Sequence, residues 1–254
     1  MKRKSPSIIS KILPFAAAAV LLAVWQVICS AGLMPAYLLP SPVDVFKAFI
    51  SDFGLLMEHA SITLVEAMVG LLAGIAVGFL MAMLMDRFEV LYLAVYPLVV
   101  VSQTIPTVAI APLLVLWFGY EMTPKILLII LTTFFPITVS LLSGFRSADT
   151  DTIRLLQSMG AGRMQIFRYV KFPGALSQFF GSLRISVSYA IVTAVISEWL
   201  GGFGGLGVYM TRVKKSFSFD KMFAVIFLIS AFSLILMRLV DILQKKIMPW
   251  EVKQ

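Results

Sequence analysis

Long apolar runs separated by short polar gaps organise this chain. Six runs can form helices that cross a hydrocarbon layer of about 30 Å, which takes about 20 residues. They are Ile12 to Leu33, Ser61 to Met85, Val90 to Thr107, Ile126 to Phe145, Gln178 to Trp199 and Met222 to Leu243. The one long polar interruption of the second half, Thr150 to Pro173, has a pattern of its own. Ile153, Leu156 and Met159 recur at helical spacing behind a cap at Asp149 or Asp151. Gly160 suits the left-handed turn that ends a helix, and Ala161 or Gly162 lets a second begin, in which Met164, Phe167 and Val170 repeat the apolar spacing. Arg163, Arg168 and Lys171 supply charge, and Pro173 closes the segment. The pattern predicts two short helices at an angle, apolar on one side and basic on the other.

Within the runs, three features bear on packing and transport. Gly70, Gly74 and Gly78 put a small residue at every fourth position, a ridge that lets another helix backbone come close where lipid removes the usual hydrophobic drive. Glu66, one turn before that ridge, is a carboxylate near the outer end of its span; it either faces a water-filled path or is solvated by the headgroup region. The third run carries Pro97, Pro106 and Pro112, and its stretch Ser102, Gln103, Thr104, Pro106 reads as a kinked segment near a translocation path, as a helix end followed by a short interfacial helix from Ala109 to Phe118, or both. Thr132, Thr133 and Ser186 add uncharged polar groups to the fourth and fifth runs, and Glu198 marks the outer end of the fifth beside Trp199. Leu200 to Met210 is rich in glycine without the Gly-Lys-Ser/Thr end of a nucleotide loop, and reads as a tight turn closing the outer end of the path.

Composition sharpens the class. At 254 residues, 60% hydrophobic and 13% charged, the chain has more apolar surface than a soluble core can bury, so lipid is its first partner. The net charge of +8 is scattered through the polar gaps, which argues against nucleic acid and for topology signals. With the N-terminus inside, fifteen of the 21 Lys and Arg fall inside, and Lys47, Lys125, Arg212, Lys214, Lys215 and Lys221 fall outside. Both termini and the Thr150 to Pro173 segment are thereby assigned to the cytoplasmic side of a multi-pass membrane protein. The first apolar run follows Lys2, Arg3 and Lys4, is long for a signal core, ends without a clean cleavage site, and is expected to stay as a span. One cysteine, Cys29, and one histidine, His59, placed in an outer loop, exclude a disulfide framework and leave no ligand set for zinc. No metal cluster, nucleophile triad or Walker loop is present in the sequence, so ATP hydrolysis is not expected of this chain.

Gly160 followed thirteen residues later by the proline of Val170-Lys171-Phe172-Pro173 resembles the cytoplasmic coupling loop of bacterial ABC importer permeases, which usually reads Glu-Ala-Ala, three residues, Gly, nine residues, Ile-x-Leu-Pro. Leu39-Pro40-Ser41-Pro42, Leu116-Trp117-Phe118-Gly119, Phe135-Pro136 and Gly204-Gly205-Leu206-Gly207 are similar to residues of the nitrate/sulfonate/taurine branch, and the resemblance runs from about Trp25 to Leu243. Arg154-Leu155-Leu156 stands where Glu-Ala-Ala would, so no role of that acidic residue carries over. The resemblance implies an all-α integral membrane fold of about six transmembrane helices, the type I importer permease fold, with a cytoplasmic coupling helix. It implies three divisions: 1–56, 57–244 with the coupling loop at 147–173, and 245–254. It implies partners: ABC ATPase subunits that bind the ATP and Mg, a solute-binding protein or lipoprotein, and a second permease copy. Ile153, Arg154, Leu156, Met159, Gly160, Ala161, Arg163, Phe167 and Pro173 would meet the ATPase. The solute is expected to be small and polar, with an aminopyrimidine precursor of thiamine favoured and sulfonates, taurine or nitrate as alternatives; a self-sufficient secondary transporter is the rival from another class.

Overall fold

A computed structural model describes residues 8–35 and 38–250; Lys2, Arg3, Lys4 and Lys253, which entered the charge assignment, lie outside the described residues. The described residues form helices and no strand: α1 (Ile8–Ser30), α2 (Pro42–Ser51), α3 (Phe53–Arg87), α4 (Glu89–Ser102), α5 (Thr107–Phe118), α6 (Met122–Arg146), α7 (Thr150–Ser158), α8 (Arg163–Ile166), a π turn (Phe167–Lys171), α9 (Phe172–Trp199), α10 (Leu206–Lys215) and α11 (Phe219–Ile247). Five helices are long and apolar enough to cross a membrane, and the α4–α5 pair makes a sixth crossing if the two are counted together. That pair bends by 98° at Gln103–Pro106, so the third span expected over Val90 to Thr107 ends at Ser102. Pro106 has no N–H to continue the helix and serves instead as the N-cap of α5.

Several helices outrun the apolar segments that predict them. α3 has 35 residues, and at 1.5 Å per residue it rises about 50 Å, well beyond a hydrocarbon core of about 30 Å. His59, expected in an outer loop, is therefore a helical residue, 6% exposed. α8, the π turn and α9 run together as a helix of 37 residues from Arg163 to Trp199, so the second short helix of the polar interruption merges into the span. Pro173 does not close that segment: it occupies the first turn of α9 directly after the π turn. The wider π turn gives the backbone room where a proline ring would crowd the carbonyl four residues back.

The chain forms two compact units. One comprises Met1–Met57 and Tyr209–Leu228. In it the Trp25 ring lies 5.7 Å from Phe223 and 6.0 Å from Phe227. Asp52, the residue that ends α2, accepts a 2.7 Å hydrogen bond from the Tyr209 hydroxyl and pairs with Lys221 at 2.8 Å. The Lys221 ammonium holds the Asp52 carboxyl below its ordinary value, and burial, then the Asp52 charge, push the Tyr209 phenol up.

The other unit comprises Glu58–Val208 and Ile229–Gln254. α6 and α9 are its most extensively packed pair. One apolar core gathers Ala67, Leu71, Ile129, Phe180, Ile191 and Ala194, and a second gathers Ala82, Met85, Ile137, Phe145 and Ala175. The small-residue ridge of α3 faces α6: a Cβ built on Gly70 would come within 2.6 Å of Ile129, one on Gly74 would collide with the Thr133 hydroxyl, and one on Gly78 would come within 2.9 Å of the Phe134 carbonyl. Arg184 of α9 pairs with Asp241 at 2.6 Å and donates to Gln244, both on α11.

Candidate functional site

The polar interruption forms a capped helix and a turn. Asp149 accepts from the backbone N–H groups of Asp151 and Thr152 and from the Thr152 hydroxyl, which satisfies donors at the start of α7 and draws the Asp149 carboxyl below its ordinary value, the Thr152 hydroxyl being the first cause. Gly160 has φ +84°, a conformation that costs a β-branched residue dearly, and it follows directly on the end of α7. The turn is closed by Ala161 N–H donating to the Leu156 carbonyl at 2.9 Å, and Gln165 then accepts from Gly162 N–H at 2.7 Å as α8 begins.

Two faces of α7 differ. Ile153 and Leu156 are half-buried, while Leu155 and Met159 are 61% and 74% exposed. Met164 and Tyr169 are also exposed apolar side chains, and Arg154, Arg163 and Arg168 are exposed with them. Phe167 turns back onto Phe145 at 5.2 Å, and Lys171 pairs with Asp86 of α3 at 2.7 Å. The hairpin is thus anchored on its membrane side and offers a mixed apolar and cationic surface on the other, the kind a groove in a partner recognises.

The residues grouped as a translocation path separate in the structure. Ser102 is half-buried, and Gln103, Thr104 and Pro106 are exposed at the α4–α5 break. The Ser102 and Thr104 hydroxyls donate to the carbonyls of Val99 and Val101. Thr132, Thr133 and Ser186 lie between helices: Thr193 donates to Thr132, Thr133 donates to the Ile129 carbonyl, and Ser186 donates to the Thr133 carbonyl.

Glu66 and Glu198 are not solvated at the outer edge; they are 4% and 1% exposed and belong to one buried polar cluster. Lys125, read only as an outer-gap charge, is 5% exposed and pairs with Glu66 at 2.6 Å. A carboxylate and an ammonium at membrane depth each carry a large desolvation cost, which mutual pairing offsets. Glu198 accepts from the Thr63 hydroxyl at 2.7 Å and from Gly207 N–H at 2.6 Å. Thr63 in turn accepts from Leu206 N–H at 2.8 Å, and His59 Nδ1 accepts from Gly205 N–H at 3.0 Å. Three successive backbone donors at the start of α10 are therefore capped by side chains of α3 and α9. Gly205, at φ +114°, lies so close to the Glu198 carboxyl that a Cβ would overlap it.

Sequence reasoning singled out neither Thr63 nor Lys125. A signal for Thr63 was available, since His59, Thr63 and Glu66 fall at i, i+4 and i+7 on the same face as the glycine ridge.

Several apolar spans, a third span broken between α4 and α5 and a capped polar hairpin held on the span ends define an integral membrane transport subunit of all-α type. The chain belongs to the binding-protein-dependent transport system inner membrane component family, whose model matches residues 74–249. It is 37% identical over 235 residues to the formylaminopyrimidine transport permease protein ThiX of Halalkalibacterium halodurans, covering 92% of this chain and 94% of that one. It is 30% identical over 239 residues to the taurine transport system permease protein TauC of Escherichia coli, covering 91% and 87%. Its fold is similar to that in a crystal structure of an amino acid ABC transporter, with a TM-score of 0.64 at 16% identity, over 79% of this chain and 98% of that one. The protein is a permease of an ABC importer, of the nitrate/sulfonate/taurine type.

Proposed function

We propose that this permease carries an aminopyrimidine across the cytoplasmic membrane, driven by separate ATPase subunits that dock on the α7–Gly160–α8 hairpin and supplied by a solute-binding protein on the outer face. The observation that carries the coupling part is the hairpin itself: Leu155, Met159 and Met164 are exposed and apolar on a segment whose other face is held by Phe167 and Lys171. An exposed apolar helix face flanked by arginines needs a partner surface. Of the segment expected to meet the ATPase, we assign Arg154, Met159, Gly160 and Ala161 to that partner, with Arg154 75% exposed and only loosely paired with Asp151 at 3.9 Å, while Ile153, Leu156, Phe167 and Pro173 are half-buried and carry the segment from behind, and Arg163 borders the cavity beside them.

The solute path is assigned to the exposed break Ser102, Gln103, Thr104, Pro106 of two facing permease copies. Glu66, Thr132, Thr133, Ser186 and Glu198 are assigned instead to holding the helices of the larger unit together. ATP and Mg belong to the partner, both termini lie in the cytoplasm, and no catalytic group is assigned to this chain. The aminopyrimidine reading is supported by the 37% identity to a permease named for formylaminopyrimidine transport; the 30% identity to a taurine permease supports a sulfonate as the second reading.

Vesicles reconstituted with permease, ATPase and binding protein test this directly. ATP-dependent uptake of a labelled aminopyrimidine, unaffected by excess taurine, is expected; uptake of taurine alone would move the assignment to sulfonates. Replacing Gly160 with Val is expected to leave membrane insertion intact while uptake falls by at least about tenfold, because a β-branched residue at φ +84° costs roughly 1–2 kcal/mol and displaces the turn. Wild-type uptake and wild-type ATPase co-purification in Gly160→Val would overturn the coupling assignment.

A further inference from the structure

A cavity of about 710 Å³ lies between the polar end of α3 and the hairpin. Its wall is apolar, formed by Leu84, Ile153, Ile166 and Phe167, and its rim carries Arg87 and Arg163. The Asp86 carboxylate on the same rim is already engaged, with both oxygens on the Lys171 ammonium at 2.7 and 2.9 Å. Arg87 lies over the Phe88 ring, and among the described residues neither Arg87 nor Arg163 has a carboxylate in ion-pair range. The rim therefore keeps two uncompensated positive charges above an apolar floor.

The cavity also sits at a defined depth. Along α3 the apolar sequence Met83-Leu84-Met85 gives way to Asp86-Arg87, the change that marks the end of a span and the level of the headgroups. α7 turns Ile153 and Gln157 towards the cavity, while Leu155 and Met159 stand about half a turn round the same helix. One face is free for a protein partner and the other closes over the membrane interface. We propose that this cavity seats an anionic phospholipid of the adjoining leaflet, its phosphate held by Arg87 and Arg163 and its glycerol and upper acyl chain against Leu84, Ile153, Ile166 and Phe167. Guanidinium groups match phosphate oxygens in a two-pronged geometry, and basic pockets between spans at the headgroup level select anionic lipid. The apolar floor favours a lipid over a free anion, which would leave that surface without a partner. The seated lipid would set the angle of α7; that consequence rests on the coupling reading above, whereas the binding itself does not.

The test uses the full-length permease in mild detergent, stripped of lipid and titrated with phosphatidylglycerol, phosphatidylcholine or inorganic phosphate, with binding read by native mass spectrometry. Phosphatidylglycerol is expected to bind in preference to phosphatidylcholine, and inorganic phosphate not to compete. Arg87→Gln/Arg163→Gln should weaken phosphatidylglycerol by about 25-fold, at roughly fivefold per charge, and leave phosphatidylcholine unchanged. Gln157→Trp, which keeps both arginines and fills the space, should block phosphatidylglycerol too, so the idea stays testable if the arginine variant fails to fold. Equal binding of the two lipids, an unchanged affinity in both variants, or competition by phosphate as strong as by phosphatidylglycerol would each overturn the proposal. Loss of lipid with normal ATP-driven uptake would leave the seat standing and remove its link to coupling.

Discussion

At the scale of single residues, the buried charges of the cluster matter most. Lys125 is the cation among Glu66, Glu198, Thr63 and His59, and its amine meets Glu66 at 2.6 Å. Removing one partner of a buried pair leaves the other charge unsatisfied, at a cost of roughly 3–5 kcal/mol. Lys125→Met should therefore unfold well below the wild type in a detergent melt, and Lys125→Met/Glu66→Gln should regain much of the loss. If the double variant is as unstable as the single one, the ion pair is not what holds this site. Asp52 offers a pH test of the other unit. Its folded carboxyl titrates below the ordinary 3.8 because Lys221 favours the charged form, so its stabilisation is complete above that value and is lost as pH falls through the depressed one. Between about pH 5 and about pH 2 the wild type should lose stability more steeply than Asp52→Asn; parallel melting curves across that window would dismiss the contribution.

At the scale of elements, α3 and α6 are held by close backbone approach. Gly74 stands against the Thr133 hydroxyl with no room for a Cβ, so Gly74→Leu must push the two helices apart or expel Thr133 from its bond to the Ile129 carbonyl. The expected result is a marked fall in folded permease extracted from membranes, read by fluorescence-detected gel filtration; a normal yield and melting temperature would remove the packing role of the ridge. This ridge, the spans and the capped turn at Gly160 were legible in the chain because each rests on local periodicity or on one residue's backbone preference. The partners of Glu66 were not. Lys125 is 59 positions away, and which face of α6 it occupies depends on how the helices rotate against each other. The π turn before Pro173 was hidden for a related reason: nothing in Phe167 to Lys171 distinguishes it from an ordinary helix until the long span beyond fixes where the chain must go.

At the scale of the whole molecule, orientation decides whether the hairpin can serve an ATPase at all. The count of basic residues argues for an inside position, but part of that count rested on Lys125, which is buried in an ion pair and so carries no weight as a topology signal. Removing it from the outer group strengthens the asymmetry, since the inner group is untouched. The remaining outer charges include Arg212, Lys214 and Lys215 in the last turn of α10, where cations also complement the helix dipole, so their position there has a local cause. The inward assignment predicts the outcome of labelling single cysteines in a Cys29→Ser background. In sealed right-side-out vesicles Arg168→Cys should resist a membrane-impermeant maleimide and Lys214→Cys should react, and in inverted vesicles the pattern should reverse. Both side chains are exposed, so burial within the chain cannot mimic protection. Reaction of Arg168→Cys from the outer side of intact vesicles would place the hairpin where no ATP is available, and the ATPase-coupled reading would fall with it.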